Sequence, residues 1–370
     1  MTFDVIVVGA GIVGLAHAYE ARRRGLSVAV VERDHRAVGA SIRNFGFVTV
    51  TGQRAGDTWR RARRSRDVWA EVAPQASIRI EHRGLWVLAQ RPAAAEVLHT
   101  FMQTEMGERC ELHSAQEAGQ HMPALRTQQA TAALYSPHEL RVESREAIPR
   151  LTHWLSQEHG VEFFFGEAVL SVGDGEVHTA QRSLQAERVV MCPGTELTGV
   201  AGALLKDHGL QLTRLQMLRV QPEAGFRLGA AVMSDLSLVR YAGYAALPPA
   251  AALQQQLSHE IPHSLAHGIH LIVVQSADGS LVVGDSHHAA DSPLPFSSEA
   301  VDDLILQHLY ETLDLGQCRV VERWVGVYPV GHHEDCLVAR PSPSQRLVLV
   351  TSGTGASTAF GIAEDVFNQW

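Results

Sequence analysis

The sequence predicts an α/β fold in two parts, a parallel sheet near the N-terminus and an α+β part built on a mainly antiparallel sheet. The parallel sheet is indicated by the β-branched run at residues 5–8, followed by glycines, a helix and a second short strand. The antiparallel sheet is indicated by residues 212–288, which alternate in hydropathy and are interrupted by loops. A chain of 370 residues exceeds what one hydrophobic core comfortably serves, so we expect two domains.

The first glycines follow the strand at the spacing Gly9-x-Gly11-x-x-Gly14. Gly9 permits a tight turn, Gly11 lets backbone approach a pyrophosphate, and Gly14 lets the next helix pack on the strand. The helix N-terminus directs free N–H groups and a positive dipole end at the phosphates. The second strand, residues 27–31, ends on Glu32, whose carboxylate can bind ribose hydroxyls and repels a 2′-phosphate. These features predict a Rossmann-like dinucleotide site, and the alternative is a glycine-rich turn that binds no ligand.

The rest of the first half contains further helices and strands. Gly25 ends the first helix, and residues 39–52 contain no clear helix and could run beneath the ring of a cofactor. Helices are predicted at residues 54–72, 93–119 and 145–159, and strands at residues 78–90 (two strands around His82 to Gly84), 132–135, 160–165, 168–170 and 184–191.

The C-terminal part of the sequence repeats the arrangement of strand, glycine turn and helix found at the N-terminus. A buried strand at residues 347–351 runs into a turn with Gly353 and Gly355, and then into a helix that reaches Trp370. A second helix N-terminus could therefore stabilise negative charge on a cofactor. Before it, strands are predicted at residues 212–220, 236–244, 268–275, 281–285 and 318–328, and a helix at residues 298–313.

Composition narrows the class of function. The net charge of −9 argues against a nucleic-acid binder, and we interpret the arginine run at residues 60–66 as a solvated helix face. The sequence has no stretch of eighteen uninterrupted apolar residues, so no membrane span is predicted. The apolar stretch at the N-terminus carries the glycine motif, so we do not interpret it as a signal peptide. The four scattered cysteines predict reduced thiols in a cytoplasmic protein, with no zinc site.

The motifs together resemble the FAD-dependent amine and amino-acid oxidases, which include D-amino-acid oxidase, glycine oxidase and sarcosine oxidase. The resemblance rests on the N-terminal motif with Glu32 and on the segments Gly39-Ala-Ser41, Trp324-Val-Gly-Val-Tyr328-Pro329 and Thr351-Ser-Gly-Thr-Gly355. It spans nearly the whole chain and implies an FAD domain from residues 1–80, 139–211 and 322–370. A substrate domain would then comprise residues 81–138 and 212–321. Residues 39–53 also resemble a bacterial branch of the family that is associated with aminophosphonate catabolism.

The resemblance implies non-covalent FAD. The first glycines would hold the pyrophosphate, Glu32 and Arg33 the adenosine, and Val169 the adenine end. The closing glycine turn would place N–H groups near the flavin N1 and O2 edge, and the spacing of Cys336 does not match a covalent attachment. The residues assigned to FAD in this way are Gly9, Ala10, Gly11, Ile12, Val13, Gly14, Glu32, Arg33, Ala40, Ser41, Asn44, Phe45, Gly46, Val169, Gly353, Thr354, Gly355, Ala356, Ser357 and Thr358.

The sequence departs from the family at a position that bears on the substrate. Amino-acid oxidases of this group commonly carry an arginine near the W-x-G-x-x-P segment that clamps the substrate carboxylate, and Tyr328 stands there. A tyrosine cannot form a bidentate charged clamp, so an ordinary α-amino acid is a less favoured substrate. Other residues must then read an anionic group, and Arg43, Arg219 and Arg240 are the candidates.

We expect Tyr328 and Arg43 to be catalytic, and further candidates to bind substrate: Gln53, Arg240, Tyr241 and His333. Each has a plainer alternative. Tyr328 could pack at a strand end, Arg43 could bridge backbone carbonyls, and Gln53 and Gln216 could be satisfied core amides. Tyr241 and Tyr244 could belong to the sheet. The pairs His332-His333 and His287-His288 are expected in solvent-exposed turns, because adjacent strand residues face opposite ways and make a poor metal pair.

The expected reaction is oxidation of a C–N bond in a small primary or secondary amine, with hydride transfer to flavin N5 and hydrolysis of the imine. Molecular oxygen or another electron acceptor would reoxidise the flavin. An aminophosphonate such as 2-aminoethylphosphonate, or its N-methyl or hydroxy relative, is the expected substrate. Glycine, sarcosine or D-amino-acid oxidation, a flavin dehydrogenase, a nicotinamide dehydrogenase and a non-catalytic FAD module remain alternatives.

Overall fold

The computed structural model describes residues 1–331 and 335–370, which form two sheets with helices packed against them. In chain order the strands are β1 (Thr2–Val8), β2 (Val28–Glu32), β3 (Phe47–Val48), β4 (Ile80–Ala89), β5 (Glu111–His113), β6 (Ala132–Val142), β7 (Glu162–Phe165), β8 (Val169–Gly173), β9 (Glu176–Thr179), β10 (Ser183–Met191), β11 (Gln211–Gln221), β12 (Ala231–Ser234), β13 (Ile272–Gln275), β14 (Leu281–Gly284), β15 (His288–Ala290), β16 (Arg319–Val330), β17 (Cys336–Ser342) and β18 (Gln345–Val350).

The α-helices vary from single turns to 19 residues. They are α1 (Ile12–Arg23), α2 (Asp57–Gln75), α3 (Pro92–Phe101), α4 (Ala115–His121), α5 (Ser144–Gln157), α6 (Gly202–Leu205), α7 (Ala242–Ala245), α8 (Ala250–Glu260), α9 (Pro262–Ala266), α10 (Glu299–Thr312) and α11 (Gly355–Asn368). Short 3₁₀ helices cover Ala40–Ile42, Glu105–Gly107 and Asp235–Val239.

The first sheet has the strand order β17-β18-β10-β1-β2-β7. Strands β18, β10, β1, β2 and β7 run parallel, and β17 pairs antiparallel at one edge. The side chains of Val5, Ile6 and Val7 are fully buried, because helices α1, α2, α5 and α11 cover one face and the β8–β9 hairpin and α6 contribute to the core on the other. The predicted α/β fold with a Rossmann-like parallel sheet is confirmed.

The second sheet is mainly antiparallel, and the parallel pair β4–β12 lies near its middle. Strand β11 pairs along its length with β16 and, on its other edge, with β14 and β15. Helices α3 and α8 pack on one face, and α10 packs on the other. This agrees with the predicted antiparallel second part.

The chain passes between the sheets several times, as the predicted division of domains requires. Strand β16 departs from that division, because its residues from 322 onward were assigned to the FAD part but pair with β11 in the second sheet. The division into domains itself stays a prediction. Among the described residues, no helix combines the length and the apolar character needed to cross a membrane.

Three predicted elements are wrong. Residues 93–119 are not helical throughout, because Glu111–His113 forms β5 and pairs with β6. Residues 78–90 form one strand and not two, because Gly84, with φ of 80°, makes an irregularity within β4 opposite β6. Residues 236–244 are helical and not extended. The N–H groups of Tyr241 and Tyr244 donate to the carbonyls of Ser237 and Tyr241, and Gly243 lies so close to Gln53 that a Cβ would be 2.2 Å from its carbonyl oxygen.

Candidate active site

A cavity of about 390 Å³ lies where the two sheets meet, and both glycine turns line it. One wall comes from the first sheet: the β1–α1 turn, residues 40–45 and the start of α11. The opposite wall comes from the second sheet and its loops, including Arg240, Tyr241 and Tyr328. The two glycine turns therefore line one site, although they lie near opposite ends of the chain.

The first glycine turn is tight because neighbouring backbone fills the space that side chains would need. Gly9 has φ of 105°, and a Cβ on it would lie 2.5 Å from the carbonyl oxygen of Cys192. A Cβ on Gly14 would lie 1.9 Å from the carbonyl oxygen of Gly9. The hydroxyl of Ser41 accepts the N–H of Ile12 at 2.9 Å, so the loop at residue 41 is fixed against the start of α1.

Glu32 connects the end of β2 to the same turn. Its Oε2 accepts the N–H of Ala10 at 2.8 Å, and its Oε1 accepts the N–H of Asp34 at 3.0 Å. Each carboxylate oxygen has a second lone pair, so Glu32 can still accept ribose hydroxyls while it supports the turn. Arg33 is exposed and donates to Glu196 at 2.7 Å, which places it on the outer rim.

The second glycine turn lies directly beside the first. The Cβ position of Gly355 is 3.6 Å from Cγ2 of Ile12, so the N-termini of α11 and α1 are adjacent. Ser357 accepts the N–H of Thr49 at 3.0 Å, and Trp69 donates to the carbonyl of Ala356 at 2.9 Å. Both helix ends therefore offer N–H groups and positive dipole ends to one cavity.

The loop with Arg43 is held by backbone contacts. Arg43 Nε donates to the carbonyl of Val38 at 2.8 Å, and the carbonyl of Arg43 accepts the indole N–H of Trp324 at 3.1 Å. The side chain of Asn44 donates to Ala40 and accepts the N–H of Gly46. Arg43 thus lines the cavity, and its side chain also binds a backbone carbonyl, which was the alternative to a catalytic role.

Tyr328 and Arg240 meet on the opposite wall. Arg240 Nη2 donates to Tyr328 Oη at 3.1 Å. The ring of Tyr328 lies against Gly353, where a Cβ would be 2.8 Å from the ring. Burial raises the pKa of Tyr328, so the phenol stays protonated and can donate its own proton to a ligand.

A group of three titratable side chains also reaches the cavity: His270, Asp285 and His287. Asp285 Oδ1 lies 3.1 Å from His270 Nε2, and Asp285 Oδ2 lies 3.8 Å from His287 Nε2. The side chain of His287 is only 9% exposed, so its predicted place in a solvent-exposed turn is wrong. Strand β14 ends at Gly284, and the chain there turns inward, whereas His288 bonds to His267 outside the cavity lining.

These three side chains are spaced closely enough to hold a divalent cation, because their donor atoms lie within 4.8 Å of one another. The guanidinium of Arg240 lowers the pKa of Asp285 and that of both imidazoles, so all three groups are in their deprotonated forms at neutral pH. The carboxylate of Asp285 and the lone pairs of the neutral imidazoles can also accept the N–H donors of an organic cation.

Of the other polar candidates, some line the cavity and some do not. Gln53 is buried, donates to the carbonyl of Thr49 at 3.3 Å and lines the cavity. Gln216 is a satisfied core amide, bonded to Ser298 and Asp302. Arg219 pairs with Glu143 and Glu322 and does not line the cavity. His332 and His333 lie outside the described residues.

Most of the residues assigned from sequence lie in the cavity wall. Those lining it are Gly11, Ile12, Val13, Gly14, Ala40, Ser41, Arg43, Asn44, Phe45, Gln53, Arg240, Tyr241, Tyr328, Gly353, Thr354, Gly355, Ala356 and Ser357. Those that do not line it are Gly9, Ala10, Glu32, Arg33, Gly46, Val169 and Thr358.

Sequence reasoning missed His270, Asp285 and Arg54. His270 lies just before β13 and Asp285 just after β14, and the backbone hydrogen bonds between these two residues show that they converge. Arg54 lines the cavity and donates to Asp335 at 2.7 Å, across 281 residues of chain.

Comparisons with known proteins agree with this geometry. The family of FAD dependent oxidoreductases (DAO) matches residues 4–369. No curated protein matches the chain significantly. Among solved structures, glycine oxidase from Bacillus cereus ATCC 14579 is similar at 19% identity and a TM-score of 0.77, with 98% of this chain and 95% of that chain covered.

Two further structures are similar over the same extent. Glycine oxidase from Geobacillus kaustophilus has 18% identity and a TM-score of 0.79, with 99% of this chain and 94% of that chain covered. L-alpha-glycerophosphate oxidase from Mycoplasma pneumoniae, solved with FAD bound, has 17% identity and a TM-score of 0.74, with 100% and 95% covered. At such identities these likenesses show the fold alone.

Proposed function

This chain belongs to the DAO family of FAD-dependent oxidoreductases, and from that premise we propose that it oxidises the C–N bond of a small amine bearing a phosphonate. The observation that carries the proposal is the pairing of Arg240 with Tyr328 in a cavity that the carboxylate of Asp285 also lines. A cationic donor and an anion in the lining of one cavity suit a substrate that carries both charges.

The cavity fits the cofactor that the family requires. A Cβ at Gly9 or Gly14 would strike neighbouring backbone, so these glycines permit the tight turn and the close helix packing of a dinucleotide-binding motif, and Gly11 lines the cavity between them. Residues 11–14 would hold the pyrophosphate, Glu32 the adenosine ribose, and residues 353–357 the flavin edge. When bound, the flavin supplies the two-electron acceptor for amine oxidation.

The protein's own residues would orient the amine. Arg240 can donate charged hydrogen bonds to phosphonate oxygens, and Tyr328 Oη can add a neutral one from the same wall. Asp285 would accept N–H donors from the amine end of the substrate. The segment at residues 39–53, which resembles the aminophosphonate branch, forms part of the same cavity wall.

The substrate class is tested by anaerobic flavin reduction and aerobic peroxide release. The panel comprises 2-aminoethylphosphonate, its N-methyl and 1-hydroxy relatives, glycine, sarcosine, D-alanine and propylamine, which lacks an anion. We expect reduction by the aminophosphonates. Turnover of the amino acids alone would reject the phosphonate, and flavin that no amine reduces would reject C–N oxidation. Reduction without peroxide would indicate a dehydrogenase with another electron acceptor.

Two variants examine the anion contact. Arg240→Gln should raise KM for aminophosphonate by about 10- to 100-fold, because a hydrogen bond to a charged group contributes about 1.5–3 kcal/mol. Its effect on propylamine should be small. Tyr328→Phe keeps the ring against Gly353 and should give a smaller rise in KM. Arg227→Gln, an exposed arginine outside the cavity lining, is the matched control.

A further inference from the structure

The gap between Asp285 and His287 has the dimensions of a site for an ammonium group. Asp285 Oδ2 and His287 Nε2 are 3.8 Å apart, which is too far for a direct hydrogen bond. Both atoms belong to cavity-lining side chains. A cation with several N–H donors, placed beside the gap, can donate to both atoms at once.

Hydrogen bonding fixes which nitrogen of His287 can accept. His287 Nδ1 is 3.0 Å from the carbonyl oxygen of Gly268. A carbonyl only accepts, so Nδ1 must carry a proton, and in the neutral ring Nε2 then carries the lone pair. Among the described residues Nε2 has no hydrogen-bond donor. The ring is therefore held with its basic atom free, next to a carboxylate that would stabilise a proton there.

The charged and titratable groups facing His287 are Asp285, His270, Arg240 and Tyr328. Burial, with smaller contributions from Arg240 and His270, lowers the pKa of His287 to about 3, although Asp285 opposes this. The imidazole is therefore neutral at pH 7, with the lone pair of Nε2 available. An anionic substrate group that pairs with Arg240 offsets one of the lowering contributions, so substrate binding itself makes His287 more basic.

Asp285 is suited to hold the cation. It is 3% exposed, and although burial raises its pKa, His287, His270 and Arg240 together bring the pKa below its ordinary value. The carboxylate is thus ionised in the cavity wall. Its Oδ1 is buried without a well-formed hydrogen bond, although His270 Nε2 lies 3.1 Å away.

We infer that His287 is the proton acceptor for the substrate ammonium, and that Asp285 holds this ammonium beside it; the inference rests on the proposed amine oxidation. One N–H bond of the ammonium breaks, its electron pair stays on nitrogen, and the proton forms a bond to His287 Nε2. The neutral amine can then lose a hydride with its electron pair from the adjacent carbon to the flavin. The imine is hydrolysed, and His287 returns its proton to water.

The test is the rate of anaerobic flavin reduction from pH 6 to 10.5 in wild type and His287→Gln, using the amine that wild type oxidises best. We expect the variant to be slower at pH 7 by about 10²- to 10⁴-fold. The deficit should shrink as pH approaches the pKa of a free alkylamine, about 10, because the solvent then supplies neutral amine. A merely structural role for His287 would not give this recovery.

Asp285→Asn examines the cation contact separately. The substitution keeps the shape but removes the charge, so KM for the amine should rise by about 10- to 100-fold. His288→Gln is the matched control, since His288 is the next residue but bonds to His267 and does not line the cavity. Flavin content and thermal midpoint, measured on each variant, report any loss of folding.

Three results would overturn the inference. A pH profile of His287→Gln parallel to that of wild type would exclude a proton-accepting role. A deficit equal in His288→Gln would show that the loss is not specific to this ring. A stoichiometric divalent cation in the purified protein, lost in Asp285→Asn, would make the group a metal site. Failure of every amine to reduce the wild-type flavin would instead reject the proposed function on which the inference rests.

Discussion

At the scale of single residues, buried imidazoles couple the stability of this protein to pH. His82 lies on β4, and its Nε2 accepts the N–H of Gln275 at 3.3 Å. Burial, with the charge of Arg141, lowers the pKa of His82 to about 3. Protonation would both charge a buried ring and remove the acceptor for Gln275.

We predict that protonation of His82 lowers the free energy of unfolding as the solution becomes acidic. Its folded pKa is below the unfolded value of about 6.5, so between those values the unfolded chain binds the proton more tightly. The contribution is fully present above pH 6.5 and falls by up to about 1.4 kcal/mol per pH unit below it. Urea unfolding of wild type and His82→Gln from pH 7.5 to 5 should show a shallower decline in the variant. Equal slopes would contradict the prediction.

Gly14 gives a second prediction at this scale. A Cβ there would lie 1.9 Å from backbone, so Gly14→Ala must push α1 away from β1. We expect flavin content in the purified protein to fall at least tenfold, with a lower thermal midpoint. Gly229→Ala is the control, because its Cβ position has no neighbouring atom within 4 Å. Full flavin occupancy in Gly14→Ala would contradict the role of this turn.

How far the site could be predicted also depends on single residues. Gly11, Gly14, Gly353, Gly355 and Tyr328 line the cavity, and they could be selected from sequence because they belong to motifs with a fixed local spacing. Asp285 and His270 were not selected, since each is one polar residue beside an apolar strand. His287 was misplaced, because a pair of adjacent histidines gives no information about which of them the fold turns inward. The structure shows that His287 lines the cavity and that His288 does not.

At the scale of elements, the contact between α2 and α11 positions the second glycine turn. Gly361 of α11 lies so close to α2 that a Cβ would be 2.6 Å from the carbonyl oxygen of Arg61. Its N–H donates to Ser65 at 2.9 Å, and Arg61 pairs with Asp365 at 2.6 Å. The two helices therefore meet through backbone, which fixes where α11 begins.

We predict that Gly361→Ala lowers the free energy of unfolding by about 1–3 kcal/mol, as overpacking does elsewhere. The better helix propensity of alanine would offset part of this. Because α11 shifts as a unit, affinity for FAD should weaken as well, and flavin titration of the apoprotein measures that. Gly229→Ala again serves as the comparison, and a Gly361→Ala protein of unchanged stability and affinity would refute the close-contact argument.

Helices and strands could be predicted where a single sequence pattern determines their type. The parallel strands and the amphipathic helices α2 and α5 follow from runs and periodicity that tertiary contacts reinforce. Residues 236–244 were predicted as a strand because they lie in a region that alternates in hydropathy. Their helical turns depend instead on Gly243 packing against Gln53, a contact made across about 190 residues that no local pattern contains.

At the scale of the whole molecule, the cavity joins the two sheets, since each contributes one wall. We predict that the sheets unfold together, with tryptophan and flavin fluorescence reporting one urea transition. FAD binds only the assembled site, so at 100 times its Kd it should add about 2.7 kcal/mol to the free energy of unfolding. Two separated transitions, with only one moved by FAD, would show that the sheets are independent.

The interleaved path of the chain between its two sheets has a consequence for how such proteins diversify. Because strands of the first sheet lie at both ends of the chain, no single crossover between two genes can exchange one complete sheet for another. New substrate preferences are therefore expected to arise from point changes and loop insertions around the shared cavity, and not from wholesale recombination of modules.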